Sequence, residues 1–300
     1  MHVHRSSDYW ICEAPAKLNL FFEVLGKRAD GYHEIVTCLC PIQLYDTLRF
    51  RPAKGRDISF YCRWAAPAGE GAKWGDLPGD SRNLALKAIL LLREKAGITA
   101  GGELFLVKRI PSAAGLGGAS ADAVAALRLA NAAWGLEWSD GELLQLACQL
   151  GSDLAAFFVP GPIVCRGRGE LVQPLVCAQA LHFVVARPAV GLSTAEVYRN
   201  CRVPSLPRSI EPLLEALTSG TLSQLGLLLF NRLEETASTL CPWVGWLREK
   251  FLYWGCVGVG MTGSGTSVFA LCEHAAHARM VASRVRAGGL PFVVAVRSGS

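Results

Sequence analysis

The chain reads as an α+β protein built in two lobes. Three observations lead there. Extended, apolar runs crowd the first fifty residues, and helical patterns take over after Asn83. Strands and helices then alternate without the regular strand–helix–strand rhythm of a doubly wound sheet. At 300 residues, 51% hydrophobic and 18% charged, the chain is long and apolar enough for a sizeable core.

The elements follow in order. Trp10 to Leu25 reads as a pair of strands broken at Pro15, and Asp30-Gly31 as a tight turn before a further strand from Ile35 to Phe50. Residues 65–82, rich in proline, glycine and alanine, read as a loop. Asn83 to Lys95 carries leucines at helical spacing, with Gly97 as its stop, and Glu103 to Lys108 alternates as a strand. A small-residue loop precedes a helix from about Ser120 to Trp134; Ser139 and Glu142 then form a capping box for a helix ending near Gly151.

A second unit is expected from about residue 175, dividing the chain into 1–174 and 175–300. It opens with a buried strand, His182 to Ala186, and a linker-like stretch from Pro204 to Pro212. Helices are expected at 210–218, 221–230 and 243–253, strands at 257–261 and 267–272 around the turn TGSG, a helix over 274–287 and a closing strand over 292–296. No internal repeat is visible.

Composition narrows function. The net charge of +5 is mild and its arginines and lysines are scattered, which suits a small anionic substrate better than nucleic acid. The eleven cysteines contain no C-x-x-C; Cys38 and Cys40 share a strand face, and reduced, buried thiols in a cytoplasmic protein are expected. The N-terminus has no apolar signal segment. The uncharged run from Phe251 to Cys272 is broken by glycines and reads as strand, turn, strand rather than a membrane span.

Five segments could carry chemistry. The most informative is KRIPSAAGLGGASAD, residues 108–122. A loop without bulky side chains lets backbone N–H groups close on an anion, and the following helix N-terminus adds partial positive charge. A di- or triphosphate is expected on the N–H groups of Gly115 to Ser120. The spacing fits neither the P-loop nor the dinucleotide fingerprint. Ser120 is a candidate oxygen ligand for Mg²⁺ or phosphate, or simply a helix cap. Lys108 either pairs with phosphate or is a solvated strand-end lysine, and Asp122 is read as structural in the first helical turn.

Lys17 and Asn19 point to one face of a strand, as a polar site or as an edge lysine with its neighbour. Asp30-Gly31-Tyr32-His33 can present two rings to a planar ligand or merely close a turn. Asp153, after Gly151-Ser152 and before an apolar segment, is costly unless paired, used or capping a helix. Thr262-Gly263-Ser264-Gly265-Thr266 can offer N–H groups to a phosphate or serve as a hairpin. His274 and His277 have no third ligand in view and read as surface residues.

In this order the segments resemble the GHMP-superfamily small-molecule kinases. PSAAGLGGASAD resembles the family's glycine-rich ATP motif and MTGSGTSVF its C-terminal glycine motif; APAKLNLFFEVLGKRADGYHEI, GSDLAAFF and STAEVY are the more specific segments. The resemblance implies an N-terminal lobe like ribosomal protein S5 domain 2, a ferredoxin-like C-terminal lobe, and ATP with Mg²⁺. It points to the branch whose acceptor is a cytidine diphosphate-linked methylerythritol.

Lys17 and Asp153 match the family's catalytic pair, Asp153 taking the hydroxyl proton and Lys17 offsetting the alkoxide. Asn19, Tyr32, His33, Thr194, Tyr198 and Gly263 match the acceptor side, with His33 at the cytosine edge and Tyr32 and Tyr198 sandwiching the ring. Asn83, Lys108, Pro111, Ser112, Ala113, Ala114, Gly115, Leu116, Gly117, Gly118, Ala119 and Ser120 match the ATP side.

Alanines at 113, 114 and 119 stand where the family often has glycine, which preserves anion binding provided φ stays negative there. A GHMP kinase for a base-free acceptor is the main rival, and the Tyr32-His33 turn argues against it. A silent binding protein on the same fold is the other rival, and retention of both Lys17 and Asp153 argues against that. No nucleic-acid or membrane partner is expected, and the chain is expected to be a monomer or weak homodimer.

Overall fold

The computed structural model describes residues 1–65 and 71–299. Strand β1 (Val3–Ser6) pairs with β2 (Tyr9–Lys27), which pairs along its length with β3 (His33–Ala53). Pro15 does not divide β2 in two. The ladder shifts register between Pro15 and Ala16, so a bulge absorbs the missing N–H and the strand runs on. The β2–β3 turn is the one expected at Asp30-Gly31: Gly31 has φ 86°, and the Asp30 carboxylate accepts the Tyr32 N–H at 3.1 Å.

Beyond β3 comes β4 (Ile58–Trp64), which the sequence reading ran over. A short 3₁₀ turn at Gly71–Trp74 stands inside the segment expected as loop; residues 66–70 of that segment lie outside the described residues. Helix α1 (Leu84–Lys95) starts where expected, because the Asn83 side chain accepts the Ala85 N–H at 3.0 Å. Strand β5 (Gly101–Lys108) slots between β3 and β4, giving the order β1-β2-β3-β5-β4.

Helix α2 (Gly118–Trp134) begins two residues before the expected Ser120. Its alanines let it lie close on the sheet, and eleven of its seventeen residues are buried. Helix α3 (Asp140–Ala147) has the capping box read from the sequence but stops at Ala147, four residues short of Gly151. A 3₁₀ turn over Ser152–Phe157 leads to β6 (Ile163–Gly167) and β7 (Leu171–Pro174), which extend the sheet from β3.

The second sheet draws on later residues. Strand β8 (His182–Arg187) is followed by α4 (Thr194–Asn200), α5 (Glu211–Ser219) and α6 (Leu222–Leu228). A two-residue strand, β9 (Phe230–Asn231), and α7 (Glu234–Leu240) carry no clear sequence signal. Then come α8 (Pro242–Tyr253), β10 (Gly258–Met261), β11 (Val268–Cys272), α9 (Ala275–Ala287) and β12 (Phe292–Arg297). The sheet order is β10-β11-β8-β12, all antiparallel. The uncharged run is therefore the end of a helix and a hairpin, and among the described residues no helix is long and apolar enough to cross a membrane.

Three clusters hold the molecule. One lies between the first sheet and α1–α3, and one between the second sheet and α7–α9. The third joins the two sheets through residues such as Leu18, Leu20, Phe183 and Phe269. Strand β9 pairs in parallel with β2 beside this joint. There Arg232 donates twice to the fully buried Glu23, each at 2.7 Å. Burial raises the Glu23 carboxyl, but hydrogen bonds from Arg232 and from the N–H groups of Arg208 and Val24 outweigh it and hold it below the ordinary range. The middle of β2 is thus buried on both faces, so polar side chains there face into the molecule.

Candidate active site

The glycine loop joins β5 to α2 and rests on β2: the Lys17 N–H donates to the Leu116 carbonyl at 3.0 Å. Three of its residues have left-handed backbone, Ala113 (φ 48°), Gly115 (φ 71°) and Gly117 (φ 73°). The expectation of negative φ at the alanines therefore fails at Ala113, where an L residue carries a cost of roughly 1–2 kcal/mol. Gly115 is required by a close approach. A Cβ there would come within 2.0 Å of the Thr262 carbonyl oxygen. The loop and the 262–266 turn, 147 residues apart, are packed backbone to backbone.

That contact is locked by polar groups. The Thr262 hydroxyl, fully buried, lies 3.1 Å from the Asn19 N–H and 3.0 Å from both the Asn19 Oδ1 and the Gly115 carbonyl. Asn19 Oδ1 also accepts the Gly263 N–H at 2.7 Å, and its amide donates to the Thr37 hydroxyl at 2.8 Å. Lys17 Nζ donates to Asn19 Oδ1 at 2.6 Å and to the Gly115 carbonyl at 2.5 Å. Lys17 and Asn19 thus share a face, as their spacing predicted. Thr262 was read only for its N–H; its hydroxyl carries the joint, and a threonine before G-S-G gives no signal of that.

Burial lowers the Lys17 ammonium to about 8, with the Asp153 charge opposing. Asp153 stands in the 152–157 turn and accepts the Ser120 hydroxyl at 2.7 Å. Both carboxylate and hydroxyl are hard oxygens beside the N-terminus of α2, and among the described residues no cluster of three or more His, Cys, Asp or Glu forms a metal cage. Such a sparse oxygen set suits Mg²⁺, which keeps waters and takes phosphate oxygens as ligands.

Two cavities meet here. One, about 440 Å³, runs along the loop from Pro111 to Ser120 past Leu77, Pro78 and Asn83. The other, about 830 Å³, is lined by Lys17, Asn19, Tyr32, His33 and Tyr198. Gly115, Gly117, Asp153 and Thr194 line both. Thr194 is held by the Ser264 hydroxyl at 2.8 Å, and Gly263 lines the larger cavity.

One expectation needs correction. Lys108 is not a solvated strand-end lysine, although it lines the loop cavity. It is 4% exposed, paired with Asp46, and donates to Asp122 at 2.7 Å beneath the loop. Strand alternation sends it inward, where a lone ammonium would be prohibitive. Burial raises the Asp122 carboxyl well above the usual carboxylate range, against the pull of Lys108 and with the push of Asp46. The rings of the larger cavity have different neighbours. Tyr198 packs on His33, with ring centres 4.9 Å apart, while the exposed Tyr32 is covered by the Arg168 guanidinium at 4.8 Å. Arg168, at the end of β6, was missed: only the sheet pairing brings it beside the turn at 30–33.

Residues 83–161 match the GHMP kinases N terminal domain, and residues 213–289 the GHMP kinases C terminal domain. A 4-diphosphocytidyl-2-C-methyl-D-erythritol kinase from Pelotomaculum thermopropionicum is 41% identical over 275 residues, covering 91% of this chain and 92% of that protein. The chain belongs to the family of these GHMP kinases. The protein of the same name from Geobacillus thermodenitrificans is 37% identical, with 95% of each chain covered. A crystal structure of 4-(cytidine 5'-diphospho)-2C-methyl-D-erythritol kinase superposes with a TM-score of 0.77 at 34% identity, over 97% of this chain and 99% of that one. Homoserine kinase from Cytophaga hutchinsonii, at 21% identity and a TM-score of 0.73, shares the fold. A GHMP kinase uses ATP as phosphoryl donor, so this chain is an ATP-dependent kinase of a small molecule.

Proposed function

We propose that the chain transfers the γ-phosphoryl group of ATP to the 2-hydroxyl of 4-diphosphocytidyl-2-C-methyl-D-erythritol, as the names of its relatives suggest. The observation that carries this reading is the meeting of a glycine-loop cavity and a ring-lined cavity at Asp153, with Lys17 opposite. ATP lies along 111–120 with its phosphates on the loop N–H groups and its base toward Asn83. The cytidine end of the acceptor lies among Tyr32, His33 and Tyr198, with Asn19, Thr194 and Gly263 along its length.

The acceptor hydroxyl then sits between Lys17 and Asp153. Asp153 takes its proton as the oxygen attacks the γ-phosphorus, and ADP leaves in line. Lys17 donates to the oxygen as negative charge develops there. Ser120, which aims its hydroxyl at Asp153, would hold Mg²⁺ beside the phosphates; the ion supplies charge neutralisation on the transferring group. The burial that lowers the His33 imidazole, with Lys27 adding to it, favours a neutral ring able both to donate and to accept at a cytosine edge.

The split of the two sheets near residue 175 supports a lobe boundary at 174/175. The chain is proposed to act in the cytoplasm as a monomer or weak homodimer. The test is a phosphoryl-transfer assay with ATP and Mg²⁺ against the diphosphocytidyl alcohol, homoserine and mevalonate. Turnover confined to the first supports the reading, and preference for either other acceptor defeats it. Asp153→Asn should lower kcat by about 10²–10⁴-fold while ATP binding remains measurable by calorimetry. A near-normal kcat would remove the general base.

A further inference from the structure

A third cavity lies behind the glycine loop, away from both sites above. It measures about 640 Å³ and opens between the 71–74 turn and the segment 289–294. Leu44, Leu290, Phe292 and the Trp74 indole give it apolar walls, and Lys73, Arg109 and Arg286 stand around it. None of these three cations has a carboxylate partner among the described residues. Arg109 donates to the Thr47 hydroxyl at 2.8 Å and Arg286 to the Val293 carbonyl at 2.8 Å, so their hydrogen bonds leave the charges uncompensated.

A fourth cation stands behind the wall. Arg187 is 2% exposed, its strand pairs at Phe292, and it donates to the Lys73 carbonyl at 3.0 Å. Its Nε finds no partner among the described residues. Three cations around one hollow, with Arg187 buried behind its wall, make a field that favours an anion. The site is tied to the loop. The Trp74 carbonyl accepts the Ser112 N–H at 2.8 Å, and the indole N–H donates to the Pro291 carbonyl at 3.1 Å across the cavity mouth.

We propose that this cavity is a second ligand site, for a small phosphorylated molecule with an apolar body, and that its occupation alters ATP affinity through Trp74 and Ser112. The hollow is larger than a phosphate group alone would fill, and Leu44, Leu290, Phe292 and the Trp74 indole offer contacts to an apolar body that an inorganic ion would not use. Binding at the cavity stands by itself; the effect on ATP rests on reading 111–120 as the donor loop.

The probe is phenyl phosphate, titrated calorimetrically into the full chain with saturating ADP, so that the donor loop is already filled. One molar equivalent is expected to bind at least tenfold more tightly than either inorganic phosphate or phenol. The Arg109→Ala/Arg286→Ala variant is expected to weaken phenyl phosphate at least tenfold while leaving kcat and the KM for ATP unchanged. Lys73→Glu, at an exposed position, should weaken it as well and serves if the double variant is unstable. Phenyl phosphate should change the KM for ATP in the native chain and not in the variants. Absence of binding, equal binding in the variants, or inorganic phosphate matching phenyl phosphate overturns the site. A KM shift that persists in the variants places the effect in the donor loop and overturns the coupling. If the chain proves not to use ADP at all, the variant comparison still decides the cavity.

Discussion

The pH dependence of turnover follows from where Lys17 is buried. Its ammonium titrates at about 8 instead of the ordinary lysine value, because burial outweighs the favourable charge of Asp153. At that value it is protonated to about 90% at pH 7, about 50% at pH 8 and about 10% at pH 9. The proposed mechanism needs the charged form, which donates to the attacking oxygen. Activity carried by the raised-pH limb is therefore present below 8 and lost as pH rises through it. For kcat/KM, which reports the free enzyme, the limb should fall near 8, with about a tenfold loss by pH 9. ATP brings negative charge close to Lys17 and stabilises its protonated form. The limb in kcat should therefore lie at higher pH than the limb in kcat/KM. A coupled ADP-release assay over pH 6.5–10 measures both. Lys17→Arg supplies a cation that does not titrate in this range. Whatever activity it retains should show no limb near 8. A native profile flat to pH 9.5, or the same limb in Lys17→Arg, would refute the assignment.

Other perturbations probe the joint and the rings. Thr262→Val keeps the shape but strands the Asn19 N–H, while the Gly115 carbonyl keeps Lys17, costing about 1–3 kcal/mol; urea unfolding should show this, with a raised KM for ATP, and Thr262→Ser should restore both. Ala113→Gly relieves the left-handed strain while adding chain entropy to the unfolded state, so stability should rise by up to about 1 kcal/mol. A lower melting temperature in that variant would contradict the backbone geometry. Tyr32→Ala should raise the KM for the cytidine acceptor by about 5- to 150-fold with kcat little changed, given about 1–3 kcal/mol for ring stacking on a base; an unchanged KM removes Tyr32 from base recognition.

Much of this was legible in the sequence, and the parts that were not share a physical cause. Local signals were read well. The Asp30-Gly31 turn, the Asn83 cap and the Ser139–Glu142 box are set by residues within a few positions of one another. Pro15 misled because a bulge, a property of the pairing with β3, rescues the strand. Strand β9 exists only because β2 lies beside it, and α7 is too short to show a period. In the site, Lys17 and Asn19 were visible through their spacing on one strand. The hydroxyl of Thr262 and the guanidinium of Arg168 were not. Each takes its place from a partner far off in sequence: Thr262 lies 243 residues from Asn19, and Arg168 reaches Tyr32 through the β3–β6 pairing.

Lys108 shows how a charge near the glycine loop is balanced from within the fold. Two lysines approach this loop from below, and their surroundings differ. Lys17 meets mainly neutral oxygens, Asn19 Oδ1 and the Gly115 carbonyl, so its charge stays available to a reacting oxygen. Lys108 is enclosed by Asp46 and Asp122, and a Cβ at Gly118 would lie only 3.0 Å from its Nζ. It therefore sits directly under the first residue of α2, where the helix already carries partial positive charge. Two fully charged aspartates there would cancel that potential, and an unpaired lysine would be prohibitively costly to bury. Burial and Asp46 push the Asp122 carboxyl up, which reduces the negative charge set against the lysine under the loop. In the proposed mechanism the N–H groups of the loop and the helix dipole hold the phosphates, and Lys17 acts on the acceptor.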